Sequence, residues 1–181
     1  MLYFVRHGET EENLAGIIQG WRGGNLTEKG KEQARQAGLK IAEINPSIIF
    51  TSDLNRAAQT TFEIIKFLPT EIKVLNDWRL RERSFGAHEG KESADYDWDD
   101  IFRHFDDSKN YMTIEINQIM MNRLQSFLSD IKQFDKLYKN IVIVTHGGVL
   151  NIVNKMANPN DDYRKYNNAE ITSFNIQDFR S

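Results

Sequence analysis

Five side chains have the right chemistry to handle a phosphate ester together: Arg6, His7, Arg56, Glu82 and His146. Each comes soon after a short apolar run. Arg6-His7-Gly8-Glu9-Thr10 follows LYFV, and Ser52-Asp53, with Arg56 one turn later, follows SIIFT. His146-Gly147-Gly148 follows IVIVT, and Arg79-Leu80-Arg81-Glu82 follows a run near Ile72–Leu75. An arginine fork matches phosphate oxygens, and charge-assisted bonds of this kind are stronger than neutral ones. A neutral imidazole, with its ordinary pKa near ~6.5, is a competent nucleophile at neutral pH. Glycines beside both histidines let backbone N–H groups approach an anion closely, and a glutamate can donate a proton.

Taken singly, each piece has a plain structural reading. A histidine at a strand end is often packing, Gly147-Gly148 a tight turn, and Arg56 a solvated helix charge. Glu82 reads as a salt-bridge partner for Arg79, Arg81 and Arg83. The joint placement is what argues for chemistry, because ligands of open α/β sheets bind at the carboxyl ends of the strands.

The elements that would position these residues alternate. Leu2–Val5, Ser47–Thr51, Ile72–Leu75 and Ile141–Thr145 are short, mostly β-branched or aromatic, and suit buried strands, with Ile171–Ile176 as a further candidate. Between them lie helical stretches. One starts at a Thr27 N-cap and runs until Asn45-Pro46 stops it; another follows Ser52 and ends near Pro69. Ile114–Phe134 is well patterned, Gly148–Ala157 is the last helix, and Ser93–Phe105 is weakly helical and acidic. The alternation predicts an α/β three-layer sandwich, with a largely parallel central sheet flanked by helices. Residues 84–112, rich in Asp, Gly and aromatics, read as a small cap or lid-like insertion. At 181 residues the chain fits a single domain over 1–181.

Composition narrows the function classes. Apolar residues at 40% and charged residues at 27% indicate a soluble globular protein. A net charge of −3 gives no basic footprint for nucleic acid. With no cysteine there is no disulfide, thiolate metal site or cysteine nucleophile. The N-terminus lacks a signal h-region and no run approaches a membrane span, so a cytoplasmic protein without membrane partners is expected. No metal is expected either. The acidic run Asp97–Asp100 lacks the glycine and closing glutamate of a calcium loop, and no zincin spacing occurs.

At these residues the sequence resembles the histidine phosphatase superfamily, the group that includes cofactor-dependent phosphoglycerate mutases. The resemblance lies in RHGETEEN (Arg6–Asn13), IIQGW (Ile17–Trp21) with LTEKGKEQA (Leu26–Ala34), SDLNRAAQT (Ser52–Thr60), LRERSFGAHEG (Leu80–Gly90) and VTHGGVL (Val144–Leu150). These blocks occur in family order. The resemblance implies that His7 is the nucleophile and becomes phosphohistidine. It implies that Arg6, Arg56 and His146 grip the phosphoryl oxygens, assisted by Asn13 and the Gly147 backbone. Gln19 and Gly20, in IIQGW, are expected to contact substrate. The resemblance implies that Glu82 is the general acid, then the base that activates water. No cofactor is implied, and the partner is a small phosphorylated substrate.

The sequence departs from the family pattern at three points. Gly23-Gly24-Asn25 replaces the usual Asp-x-Pro, His88 stands where Trp is common before Glu-Gly, and Arg83 adds a possible substrate cation. These bear on specificity, and Gln19, Trp21, Arg22, Arg83 and His88 are the candidates for touching the leaving group. The stretch between Glu82 and His146 is shorter than in the mutases and lacks their basic residues. It carries Asp95, Asp97, Asp99, Asp100, Asp106 and Asp107, best read as a solvated helix face, together with Trp98, Phe102 and Phe105, best read as packing. His88 and His104 read as surface residues. A phosphatase is therefore expected. Primer-dependent mutase activity is the alternative, and a non-catalytic binding module would have lost residues that are all present.

Overall fold

The computed structural model describes residues 1–97, 113–133 and 137–179. Its strands are β1 (Leu2–Arg6), β2 (Ile48–Thr51), β3 (Val74–Asn76), β4 (Ile141–Thr145) and β5 (Ile171–Phe174). Its helices are α1 (Glu11–Ala15), α2 (Glu28–Ile44), α3 (Asn55–Ile65), α4 (Asn117–Gln133) and α5 (Gly147–Ala157). The sheet runs β3-β2-β4-β1-β5. Its first four strands are parallel, and β5 lies antiparallel against β1.

Two-residue periodicity divides the sheet's apolar side chains between two layers. Leu2, Phe4, Ile48, Phe50, Ile141 and Ile143 face α4 and α5, packing with Leu124, Phe127, Leu128, Leu150 and Val153. Val5, Ile49, Val142 and Val144 face α2 and α3, packing with Ala37, Ile41, Ala57 and Ile64. The central strands are thus apolar on both faces, which is why they read as continuous runs. None of the described helices is long and apolar enough to cross a membrane.

The expected elements are present with shifted ends. Thr27 caps α2, its Oγ1 accepting from Gly30 N at 2.9 Å, and the helix ends at Asn45 in the left-handed region before Pro46. The fourth expected helix starts later, at Asn117, and the run ITSFNI is a strand only to Phe174, followed by a 3-10 turn over Ile176–Asp178. Helix α1, which the sequence reading passed over, is a single capped turn. Thr10 Oγ1 accepts from Asn13 N, and Asn13 Oδ1 accepts from Thr10 N.

One expectation needs correction. The run Ile72–Leu75 was expected to form a buried strand, but β3 covers Val74–Asn76 and all three residues are exposed, because it is the edge of the sheet. Of the weak helix expected over Ser93–Phe105, the described part holds a 3-10 turn at Ser93–Asp95, and the part from Trp98 on lies outside the described residues. Asp95 and Asp97 are exposed, in keeping with a solvated acidic face. The rest of the expected cap, from Trp98 to residue 112 and including Asp99, Asp100, Phe102, His104, Phe105, Asp106 and Asp107, lies outside the described residues.

Candidate active site

Strand register brings the site together. Arg6 of β1 pairs with Thr145 of β4, and His7 N then donates to Thr145 O at 2.9 Å. The next residues, His7 and His146, emerge side by side with ring centroids 5.2 Å apart. On the other flank of β4, Thr51 pairs with Val144, so Ser52 arrives beside His146 and its Oγ lies 2.8 Å from His146 Nε2. Beyond β3 the chain turns through Trp78–Leu80, where Leu80 O accepts from Thr145 Oγ1 at 2.8 Å. That bond sets the following residues, Arg81 and Glu82, above the same strand ends.

The His7 loop is held by backbone contacts that tolerate no side chain at two points. A Cβ on Gly8 would collide with the Gly30 carbonyl, and one on Gly30 with the Glu9 carbonyl. Gly8 N donates to Thr60 Oγ1 at 3.0 Å, and Thr60 Oγ1 donates to Arg56 O at 2.7 Å. Helix α3 therefore fixes both the loop and the arginine in its first turn.

The tautomer of His7 follows from its partner. Nδ1 lies 2.7 Å from Gly8 O, which can only accept, so the ring proton sits on Nδ1. Nε2 keeps its lone pair and accepts from Arg56 Nε at 3.3 Å. Arg56 is 1% exposed and also donates to Gly20 O at 2.8 Å and Arg22 O at 3.1 Å. Burial lowers its pKa to about 10, partly offset by Glu82 and Glu12, so it stays cationic at neutral pH. Arg6 donates to Tyr166 O, while its Nε is buried without a hydrogen-bond partner.

Both imidazoles are buried, and both are held neutral. Desolvation, then Arg56 and Arg6, drives the His7 pKa well below 6.5. Desolvation, then Arg56 and His7, does the same for His146. In the unfolded chain each ring would titrate near ~6.5. Below that pH the unfolded state takes up protons that the folded state excludes, so stability is full above it and falls as pH drops. The slope is up to ~1.4 kcal/mol per pH unit per ring. Urea midpoints should decline between pH 7 and 5.5, less steeply once His7 is replaced by Ala. A flat wild-type profile over that range would contradict two neutral buried rings.

Two cavities meet at this point. One, of about 210 Å³, is lined by Arg6, His7, Asn13, Gln19, Gly20, Arg56 and Glu82, together with Ile17, Ile18, Phe85 and Ser93. The other, of about 500 Å³, shares Arg6, Glu82 and Ser93 and continues past Gly147 and Gly148 to Tyr163, Lys165 and Tyr166. Glu82 stands between them. Its Oε1 accepts from Arg83 N at 2.8 Å and its Oε2 from Gly148 N at 3.1 Å, an approach that a Cβ on Gly148 would block.

Every expected site residue except His146 lines one cavity or both. His146 is fully buried beside His7, and its Nδ1 has no hydrogen-bond partner. The arginines near Glu82 do not pair with its carboxylate. Arg79 pairs with Asp77 and Asp130, each at 2.7 Å, and Arg81 with Asp53 at 2.6 Å. Arg83, read as a possible substrate cation, is 1% exposed and turned inward onto Glu115 O and Asn117 Oδ1. Trp21, Arg22 and His88 line neither cavity, and His88 Nδ1 lies 2.8 Å from Tyr96 Oη.

Two features escaped the sequence reading. Arg123 is 6% exposed, pairs with Glu115 at 2.7 Å and donates to Glu82 O at 3.2 Å. Its signal was a lone charge on the buried stripe of α4, between Met120 and Phe127. The segment Tyr163–Tyr166 forms a wall of the larger cavity. Asn151 clamps it there, accepting from Arg164 N and donating to Arg164 O, both at 3.0 Å.

Residues 2–181 match the model of the histidine phosphatase superfamily (branch 1). A candidate phosphoserine phosphatase of Hydrogenobacter thermophilus is 36% identical over 161 residues, 84% of this chain and 75% of that protein. A 2,3-bisphosphoglycerate-dependent phosphoglycerate mutase of Streptococcus pyogenes is 43% identical over 101 residues, 52% of this chain but only 42% of the mutase. Among solved structures, an Entamoeba histolytica phosphoserine phosphatase variant in complex with phosphoserine superposes with a TM-score of 0.77 at 25% identity, covering 94% of this chain and 87% of that one.

Proposed function

The chain belongs to the histidine phosphatase superfamily, and from that premise we propose that it is a metal-independent phosphomonoesterase working through a phosphohistidine on small phosphorylated metabolites. The observation that carries this reading is the His7 Nε2 lone pair, free of a proton, in a cavity lined by the buried Arg56, the half-buried Arg6 and a carboxylate.

In the proposed reaction Nε2 attacks phosphorus, the P–O ester bond breaks, and Glu82 gives its proton to the departing alkoxide. Glu82, now ionised, takes a proton from water. The hydroxide attacks phosphorus, the P–N bond breaks, and inorganic phosphate leaves. Phosphoryl transfer is catalysed mostly by positioning and charge stabilisation. Arg6 and Arg56 supply the charge, with the Gly147 N–H at the start of α5 and Asn13, Gln19 and Gly20 along the cavity wall. Once substrate binds, Arg56 exchanges its contacts with Gly20 O and Arg22 O for phosphoryl oxygens. His146 joins by exchanging Ser52 Oγ for one of them. The larger cavity takes the leaving group.

Because cations of the chain do the work of a metal, hydrolysis of para-nitrophenyl phosphate should survive an excess of chelator with less than about twofold loss. A loss restored by added divalent ions would sink the metal-free reading. The names of the relatives put phosphoserine first in a substrate screen, and also keep mutase activity as the second reading. Isomerisation of phosphoglycerate that depends on a bisphosphorylated primer would establish it. The family match over residues 2–181 also supports treating the chain as one domain.

A further inference from the structure

We infer that Trp21 is a positioning residue for Glu82, fixing through the backbone where the carboxyl group delivers its proton. This rests on the proton-donor role just proposed for Glu82. Residues 81–85 belong to no helix or strand, so no ladder of hydrogen bonds sets the position of that carboxyl group. Side chains hold it instead. The Trp21 indole Nε1–H donates to Glu82 O at 2.7 Å, the shorter of two bonds to that carbonyl, and Arg123 supplies the other at 3.2 Å. Trp21 N donates to Glu89 Oε1 at 2.9 Å, and the same oxygen accepts from Phe85 N at 3.0 Å. The loop carrying Trp21 and the loop carrying Glu82 are therefore pinned together at Glu82 itself and again three residues later, at Phe85.

The indole is itself held. The Arg81 guanidinium lies 4.8 Å from the ring centre, within cation–π range. Both forks of Arg81 are engaged by Asp53, at 2.7 and 2.6 Å. Asp53 adjoins Ser52, whose Oγ contacts His146. A continuous set of contacts thus runs from the histidine pair, through Ser52-Asp53, Arg81 and Trp21, to the backbone of Glu82. Trp21 lines neither cavity, so it acts on the reaction through Glu82 and not by touching substrate.

Trp21→Phe keeps an aromatic ring to lie under Arg81 and deletes the N–H together with the five-membered ring that carries it. Wild type and variant are compared by kcat/KM on an alkyl phosphate and on para-nitrophenyl phosphate, and the ratio of the two values for each protein cancels any difference in the fraction of active molecules. Each kcat/KM reports steps up to loss of the first alcohol, before water is activated. The alkyl ester, whose alkoxide needs a proton, should lose about tenfold. That is less than the ~10²-fold a 1 Å misplacement can cost, because Arg123 still grips the same carbonyl. The aryl ester should lose less than about threefold. Equal losses on both esters, or none on either, would overturn the assignment while leaving the phosphatase reading intact. A wild type inert towards both esters would remove the phosphatase reading, and this inference with it.

Discussion

His7→Ala should lower turnover of any phosphate ester by at least about four orders of magnitude, because it removes the atom placed, among the described residues, to form the covalent intermediate. Arg56 Nε donates to Nε2, Nδ1–H is spent on Gly8 O, and the ring is 3% exposed. Among the described residues no second imidazole is placed to take over. His146 is directed to Ser52 and lines neither cavity. The fold should survive, since Gly8 N stays bonded to Thr60 and His7 N to Thr145 O. A cost of about 1–2 kcal/mol is typical of such a buried truncation, which for a chain of this size lowers Tm by roughly 2–4 °C per kcal/mol. Incubation with labelled phosphoserine or another hydrolysed ester, followed by an alkaline quench, should leave acid-labile label on wild type and none on the variant. Label on His7→Ala, or more than about 1% residual activity, would place the nucleophile elsewhere.

Much of this site could be read in the sequence because each key residue directly follows an element with a strong signature. IVIVT is too short and too β-branched for anything but a buried strand, so His146 had to emerge at its end. Arg56 was legible for another reason: a run of polar residues after a strand, then a helix, leaves the first turn as the place where a cation meets the strand ends. The exposure of β3 had one faint signal, Lys73 within Ile72–Leu75; the rest of that run is apolar, and it is the strand order that makes it an edge. The Tyr163–Tyr166 wall was invisible for a similar reason. It has no period, and its place depends on one side chain, Asn151, grasping the backbone of Arg164. Contacts between side chains and distant backbone leave no local pattern.

The same limit explains the arginines near Glu82. In sequence, Arg79, Arg81 and Arg83 are equivalent neighbours of a glutamate. In space each is directed elsewhere by a partner far along the chain: Asp130, Asp53 and Asn117. Glu82 is left to backbone N–H groups and to the cavities. A carboxyl group freed from its own neighbours is one that a substrate can reach, and this separates a proton donor from a structural ion pair.

Glu82→Gln tests that distinction most directly. The glutamine carbonyl can still accept from Arg83 N or Gly148 N, so the loop should keep its place, while the proton that goes to the leaving oxygen is gone. General acid catalysis contributes about 10²–10⁴-fold. The kcat/KM for an alkyl ester should fall by roughly that factor. A nitrophenolate leaves without help, so the aryl ester should lose less than about tenfold by the same measure. The second half-reaction still needs a base to activate water. The phosphohistidine should therefore accumulate, giving a nitrophenolate burst followed by a slow steady state. Equal losses on alkyl and aryl esters would assign Glu82 to binding instead. A full aryl steady-state rate without accumulation would mean that water is activated by another group. Either result would separate the two duties of one carboxyl group, which the geometry around Arg83 N and Gly148 N joins in a single side chain.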